Sequence, residues 1–275
     1  MLTHPTHERL ITLGLTGMAK ALEEQRRSPD LDALSFEERV GLLVDREAAE
    51  RDTKRLTTRL KFAALRQSAC VEDVDLRTPR GIDRSVFARL VGGDWIDRNE
   101  NLLITGATGL GKSWIACALG HKACRDNRSV QYHRVPRLFE ALALARGDGR
   151  YGRLLKTFGR VQLLILDDWG LSVLNPPERR DLLEILDDRH GRASTIVTSQ
   201  IPSSSGTTSL ATPPWATLSW TVSFTTLIAC SSSEKACENR TPAIKLLTPT
   251  QTPEPITMSV KAAAHDRPKY LLTIA

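Results

Sequence analysis

Three things are scarce in this 275-residue chain, and each absence narrows what it can be. Cysteine occurs five times, at Cys70, Cys117, Cys124, Cys230 and Cys237, with no C-x-x-C pair and no metal-ligand spacing. That excludes a disulfide scaffold or a zinc module as the organising device and favours reduced thiols. Long apolar runs are missing: nothing approaches the roughly 20 residues that span a bilayer. His4, His7 and Glu8 stand where a secretory leader needs an apolar core. The expectation is a cytoplasmic protein with no membrane partner. Charge is missing from one segment: residues 203–233 hold 16 Ser or Thr among 31 residues and no charged side chain.

The rest is ordinary globular material, 41% hydrophobic and 25% charged. A net charge of +6 is compatible with an acidic partner such as DNA and does not by itself specify one. Three segments follow. Residues 1–75 read as helical. "HERLITLGLTGMAKALEEQRR" places Leu10, Leu13, Met18 and Leu22 near one face, and Ser35 with Glu38 forms a capping box. From Arg51 to Arg66 six cations (Arg51, Lys54, Arg55, Arg59, Lys61, Arg66) face one acid, Asp52. This run reads equally as a solvated helix face or as a phosphate-tracking surface for DNA. Residues 76–100 are a connector punctuated by Pro79, Gly81, Gly92 and Gly93.

From Asn101 to about residue 202, apolar strands ("NLLIT", "SVQYHR", "VQLLILDD", "STIVTSQ") alternate with amphipathic helices ("KSWIACALGHKACRD", "PRLFEALALARG", "PPERRDLLEILDDRHG"). That alternation predicts an α/β fold, a parallel sheet covered by helices on both faces. Residues 203–275 are expected to form an atypical, disordered tail.

"GATGLGKS", from Gly106 to Ser113, fits G-x-x-x-x-G-K-[ST] between a predicted strand and a predicted helix. Gly106, Ala107, Thr108, Gly109, Leu110 and Gly111 supply a loop whose N–H groups can face phosphate oxygens, and the helix dipole adds to it. Lys112 is expected to reach the β- and γ-phosphates of ATP, and Ser113 to ligate Mg²⁺. "LLILDDWG" carries two acids to the carboxyl edge of the sheet, where open α/β folds bind ligands. Asp167 fits the acid that holds Mg²⁺, and Asp168 the group that orients or deprotonates the attacking water. Thr198, Ser199 and Gln200 end the adjacent strand. One of them is expected to touch the γ-phosphate or the water, with a plain turn onset as the other reading. Among these, Thr198 is the chosen candidate.

The weaker candidates are read structurally. His121, His133 and His190 receive no ligand role. Cys117 and Cys124 face the core. Trp95 and Ile96 pack either against adenine or in the core, and Trp169 caps the sheet. Arg189 and Arg192 read as surface charge.

"NLLITGATGLGKSWIACALGHKAC", "LLILDDWGL" and "RRDLLEILDDRHGRASTIVTSQIP" resemble the IstB family of transposition helper ATPases. That family is of the AAA+ class and similar to DnaC-type helicase loaders. "LTGMAKALEEQ" and "LSFEERVGLLVDRE" resemble its helical N-terminal segment, so the likeness covers about residues 8 to 202. It implies binding of ATP and Mg²⁺ and a homo-oligomer in which a neighbour's arginine completes each site. It further implies binding of double-stranded DNA and cooperation with a transposase. Two alternatives are a replication helicase loader and a nucleotide-dependent DNA-binding module with little hydrolysis. A small-molecule kinase would need an acceptor pocket and an Arg-rich lid that the sequence does not show.

After "TSQIP" the family continues with a charged lid containing an Asp-Arg pair, and this chain does not. Read one base earlier, the codons of residues 203–238 leave only the first base of each codon free. They can then spell a charged, family-like stretch opening "VEQWHDVIGDPTLGDAILDRL". The lid arginine falls over Val222 and is absent from the chain as written. The expectation is that one base was lost near Pro202. Resequencing the gene across codon 202 should return bases that spell those shifted codons; any other bases refute the lost-base reading.

Overall fold

A computed structural model describes residues 5–28, 31, 33–76, 82–170 and 174–200, together with the backbone of a strand at 224–230. The chain divides into two compact units, 1–61 and 62–275. The residues before the sheet therefore part company at Lys61, earlier than the helical-to-connector change in composition suggests.

The first unit holds α1 (Pro5–Thr12), α2 (Thr16–Arg27) and most of α3 (Phe36–Ala63). The expected apolar face does not run unbroken from Leu10 to Leu22. Gly14 takes a left-handed φ of 75° and ends α1, which leaves Leu13 64% exposed. What α2 buries is small: Gly17, Ala19 and Ala21. Gly17 is required there, because a Cβ would lie 2.7 Å from the Glu47 Cα on α3. That close approach lets the Glu47 carboxylate accept from the Gly17 N–H at 2.7 Å and the Met18 N–H at 3.1 Å, capping a helix whose own N-cap, Leu15, has no side-chain acceptor. Arg51, bonded to Glu47 at 2.7 Å, holds that carboxyl below the usual carboxylate range. The Ser35–Glu38 capping box is formed in both directions, at 2.8 and 3.3 Å. Of the basic run, Arg51 faces Glu47, Lys54 faces Glu50, Arg55 faces Asp52 and Arg66 lies 3.9 Å from Asp167 and Asp168, so four of its six cations have carboxylate partners.

The second unit is the α/β sheet. A 3-10 turn (Val71–Asp73), α4 (Arg84–Gly92) and α5 (Asp94–Asp97) lead into β1 (Asn101–Gly106). Then come α6 (Lys112–Arg125), β2 (Val130–Arg134), α7 (Val135–Gly147), α8 (Tyr151–Arg160), β3 (Leu163–Trp169), α9 (Pro176–Arg189), β4 (Ser194–Ser199) and β5 (Phe224–Cys230). The strands are parallel in the order β2-β3-β4-β1-β5. All seven expected strands and helices of residues 101–200 are present within a residue or two. The connector holds two helices, α4 and α5, because Asp83 caps α4 and Gly93, at φ 82°, closes it. Within the tail expected to lack order, β5 is a correction. Its "FTTLIAC" is rich in β-branched and apolar residues, which suit a strand beside β1. The remainder of 203–275, and the reading-frame expectation with it, lies outside the described residues.

Burial follows the alternation of β3. Leu164 and Leu166 enter a core built with Leu138, Phe139 and Leu142 of α7, Leu155 and Phe158 of α8, and Leu182, Ile185 and Leu186 of α9. On the other face α6 packs so closely that a Cβ on Gly120 would lie 2.7 Å from the Ile165 Cδ1. Cys117 and Cys124 are fully buried there, and burial pushes the Cys117 thiol up. Trp95 and Ile96 are core residues, the Trp95 indole donating to the Leu90 carbonyl at 2.9 Å. The adenine-packing alternative therefore gives way to the core one.

Arg189 corrects the surface-charge reading. It is 1% exposed at the end of α9 and has no ion-pair partner among the described residues. Its guanidinium donates to the Phe158 carbonyl at 2.5 Å, the Val161 carbonyl at 2.8 Å, the Thr195 Oγ1 at 3.1 Å and the Ser194 carbonyl. One cation thereby stitches α8, α9 and β4, and burial lowers its pKa to about 10. Arg189→Leu strands several buried carbonyls. The expected cost is about 3 kcal/mol, a fall in melting temperature of roughly 10 °C by circular dichroism.

Candidate nucleotide site

The loop after β1 is built for close approach to an anion. Gly109 and Gly111 adopt φ of 87° and 84°, where side chains are strained, and the space beside Gly109 is open. Gly111 caps α6 without a side-chain bond. The N-cap position thus brings no side-chain acceptor of its own to the first turn of α6, as a phosphate cradle requires. Lys112 is 8% exposed and folds back to donate to the Ala107 carbonyl at 2.8 Å. Thr108 Oγ1 bonds the Gln200 Oε1 at 2.9 Å, tying the loop to the end of β4.

Beneath the loop lies Asp167, wholly buried. Its Oδ1 accepts from the Ser113 hydroxyl at 2.8 Å and from the Thr198 hydroxyl. Its Oδ2 accepts from the Tyr132 phenol. Arg66 Nη1 stands 3.9 Å from Oδ2. Thr198 is shared, because its Oγ1 also accepts the Asp168 N–H at 3.1 Å. Ser199 points elsewhere, donating to the Trp169 carbonyl at 3.0 Å. Of the three residues that end β4, Thr198 therefore touches both acids, and Gln200 touches the loop. Trp169 is a core residue, 2% exposed.

Asp168 sits in a left-handed conformation, φ 62°, where the β3–β4 register slips between Leu166 and Trp169. Its Oδ2 accepts from Arg134 Nε at 2.6 Å, with Arg66 Nη1 at 3.9 Å. Ser113 and Asp167 offer the hard oxygen donors that Mg²⁺ takes, and the uncapped glycine loop fits a polyphosphate.

Three residues of this cluster escape sequence reasoning. Tyr132 and Arg134 had a signal: β2 pairs parallel with β3, Arg134 opposite Asp167, so polar residues closing "SVQYHR" share an edge with the acids. Arg66 had none, because it reads as the last member of the basic run. The other weak candidates stay structural. His133 stacks edge-on against Phe158 at 5.0 Å, and burial lowers its pKa to about 4. His121 lies 3.9 Å from the Cys70 sulfur.

A family profile described as IstB-like ATP-binding protein matches residues 8–214. The chain belongs to that family. The match runs past Pro202, the join suggested by composition. A relative in Sinorhizobium fredii, described as an insertion sequence ATP-binding protein, is 59% identical over 216 residues, 78% of this chain and 88% of its own. The IS1162 ATP-binding protein of Pseudomonas fluorescens is 54% identical over 218 residues, 79% of this chain and 94% of its own. Among solved structures, the DnaC helicase loader gives a TM-score of 0.46 at 18% identity, covering 59% of this chain and 96% of that one. Replication initiator DnaA bound to AMPPCP and single-stranded DNA gives 0.49 at 16%, covering 62% and 52%. No helix among the described residues is long and apolar enough to cross a membrane.

Burial and the bond to Asp167 push the Tyr132 phenol well above its usual range, and burial leads the rise of Tyr151 to about 12. A raised folded pKa means that the stability of the Tyr132 contact is complete below about pH 10 and is lost as pH climbs toward the folded value. In an alkaline titration of phenolate absorbance, these two of the three tyrosines should ionise late. Tyr132→Phe should remove one late step and cost about 1–2 kcal/mol, by leaving Asp167 one donor short.

Proposed function

We propose that this IstB-like chain is a Mg²⁺-dependent ATP hydrolase serving an insertion sequence, one that binds double-stranded DNA and cooperates with a transposase as a homo-oligomer. The observation that carries the reading is the convergence of the Ser113 and Thr198 hydroxyls on the buried Asp167, next to a glycine loop on which Lys112 folds back to the Ala107 carbonyl. The insertion-sequence names of the relatives support the transposition branch over the helicase-loader one. A cytoplasmic setting suits that role.

The roles follow from the chemistry of each group. Gly106 to Gly111 and the start of α6 bind the phosphates by N–H donation. Lys112 exchanges the Ala107 carbonyl for the β- and γ-phosphate oxygens. Ser113 and Asp167 would hold Mg²⁺, which when bound would supply charge neutralisation at the phosphates. Thr198 keeps Asp167 aimed and fixes the backbone of Asp168. Asp168 orients the attacking water and accepts its proton as the γ-phosphorus leaves the β–γ bridging oxygen. The second reading, a nucleotide-dependent DNA-binding module with little hydrolysis, is favoured by one observation: Asp168 spends an oxygen on Arg134. The absence of a lid arginine at Val222 points the same way.

Lys112→Ala is expected to abolish binding of a fluorescent ATP analogue; unchanged affinity would refute the phosphate-site assignment. Asp168→Asn should keep binding and lower single-turnover hydrolysis by about 100-fold or more. A wild-type chain that binds ATP and never turns it over would establish the second reading.

A further inference from the structure

The surface of α8 carries a charge pattern that the nucleotide site does not use. One side of this helix is anchored by Leu155 and Phe158 in the core. The opposite side holds Gly152, Arg153, Lys156, Gly159 and Arg160, which at 100° per residue fall within an arc of about 120°. The helix contains no Asp or Glu. Neighbouring cations are committed: Arg146 to Asp181, Arg150 to Asp148 and Arg189 to backbone carbonyls. Arg153, Lys156 and Arg160 are exposed and have no ion-pair partner among the described residues.

The two glycines are the second observation. Each costs a helix about 1 kcal/mol relative to alanine. Neither is needed for packing, since a Cβ at Gly152 or Gly159 would meet nothing within 4 Å. The result is a low ridge bare of side chains between cations one turn apart. It extends about 12 Å, three to four base-pair rises of a duplex strand. The face offers no aromatic or aliphatic anchor of the kind that protein interfaces use. Its chemistry matches a regular row of phosphates.

We propose that this face of α8 is a DNA-contact surface, tracking the phosphate backbone of a duplex without reading its bases. This locates DNA contact on the ATPase unit, in addition to or instead of the Arg51–Arg66 run, where Arg51, Lys54 and Arg55 already face carboxylates. It rests on the reading that the chain binds DNA.

The test is a full-length variant, Arg153→Ala with Lys156→Ala and Arg160→Ala, titrated against a labelled duplex of mixed sequence over a salt series. Each lost phosphate contact removes about 0.9 from the slope of log affinity against log salt, so the slope should fall by about 2–3. Affinity at low salt should fall at least tenfold, with ATP-analogue affinity and melting temperature unchanged. Should the triple variant melt early, the three single variants decide, each expected to lower the slope by about 0.9. Wild-type binding with an unaltered slope in the variants overturns the α8 assignment alone. No duplex binding by the wild-type chain overturns the DNA reading itself. Polyglutamate bound as tightly as the duplex, and lost in the variant, would assign the face to an acidic protein instead.

Discussion

A carboxylate with no access to water must be satisfied from within, and Asp167 is such a group. Left unpaired, a buried charge costs several kcal/mol. The sheet answers by sending a donor from three directions: Ser113 from the first turn of α6, Tyr132 from β2 and Thr198 from β4. Those partners arrive only if the strands run parallel in this order, since only then do their carboxyl ends share one edge. The glycine loop, the helix behind it and the fit of α6 on Ile165 all serve to bring Ser113 to that carboxylate. Fold and site are therefore one solution to one electrostatic problem.

Much of this was legible in the residues, for physical reasons. The P-loop announces itself because only glycines allow its turns and only a lysine followed by a hydroxyl completes it. The strands of residues 101–200 announce themselves because burial on both faces demands unbroken apolar runs, as "LLIL" shows. Burial also explains what misled. Arg189 reads as surface charge because a lone arginine rarely lies inside, yet four backbone and hydroxyl acceptors make its burial tolerable. Leu13 fits the periodic face, but the period ends at Gly14. Tyr132 and Arg134 escape because strand adjacency is a property of topology. α8 escapes despite a signal: Tyr151, Leu154, Leu155 and Phe158 recur at helical spacing away from its cations.

The site also shows a division of labour between its two acids. Asp167 is buried, bonded by hydroxyls and fixed. Asp168 is held by cations and sits at a register slip. The first arrangement fixes a carboxylate in place; the second pairs it with cations, Arg134 and Arg66, that an anion would also attract. The contrast comes from neighbouring positions in one strand, whose side chains point opposite ways until the slip brings both to the same edge.

The backbone of Asp168 carries a consequence for what evolution can place there. At φ 62° the short acids and amides are tolerated, because their side chains are compact and bond locally. Glutamate has the same charge and a longer reach, but at this φ it lacks that local compensation. On the proposed role, the residue type is thus filtered twice, once by proton chemistry and once by torsion. Glutamate at this irregularity between β3 and β4 would carry a left-handed torsional cost of about 1–2 kcal/mol that aspartate offsets locally.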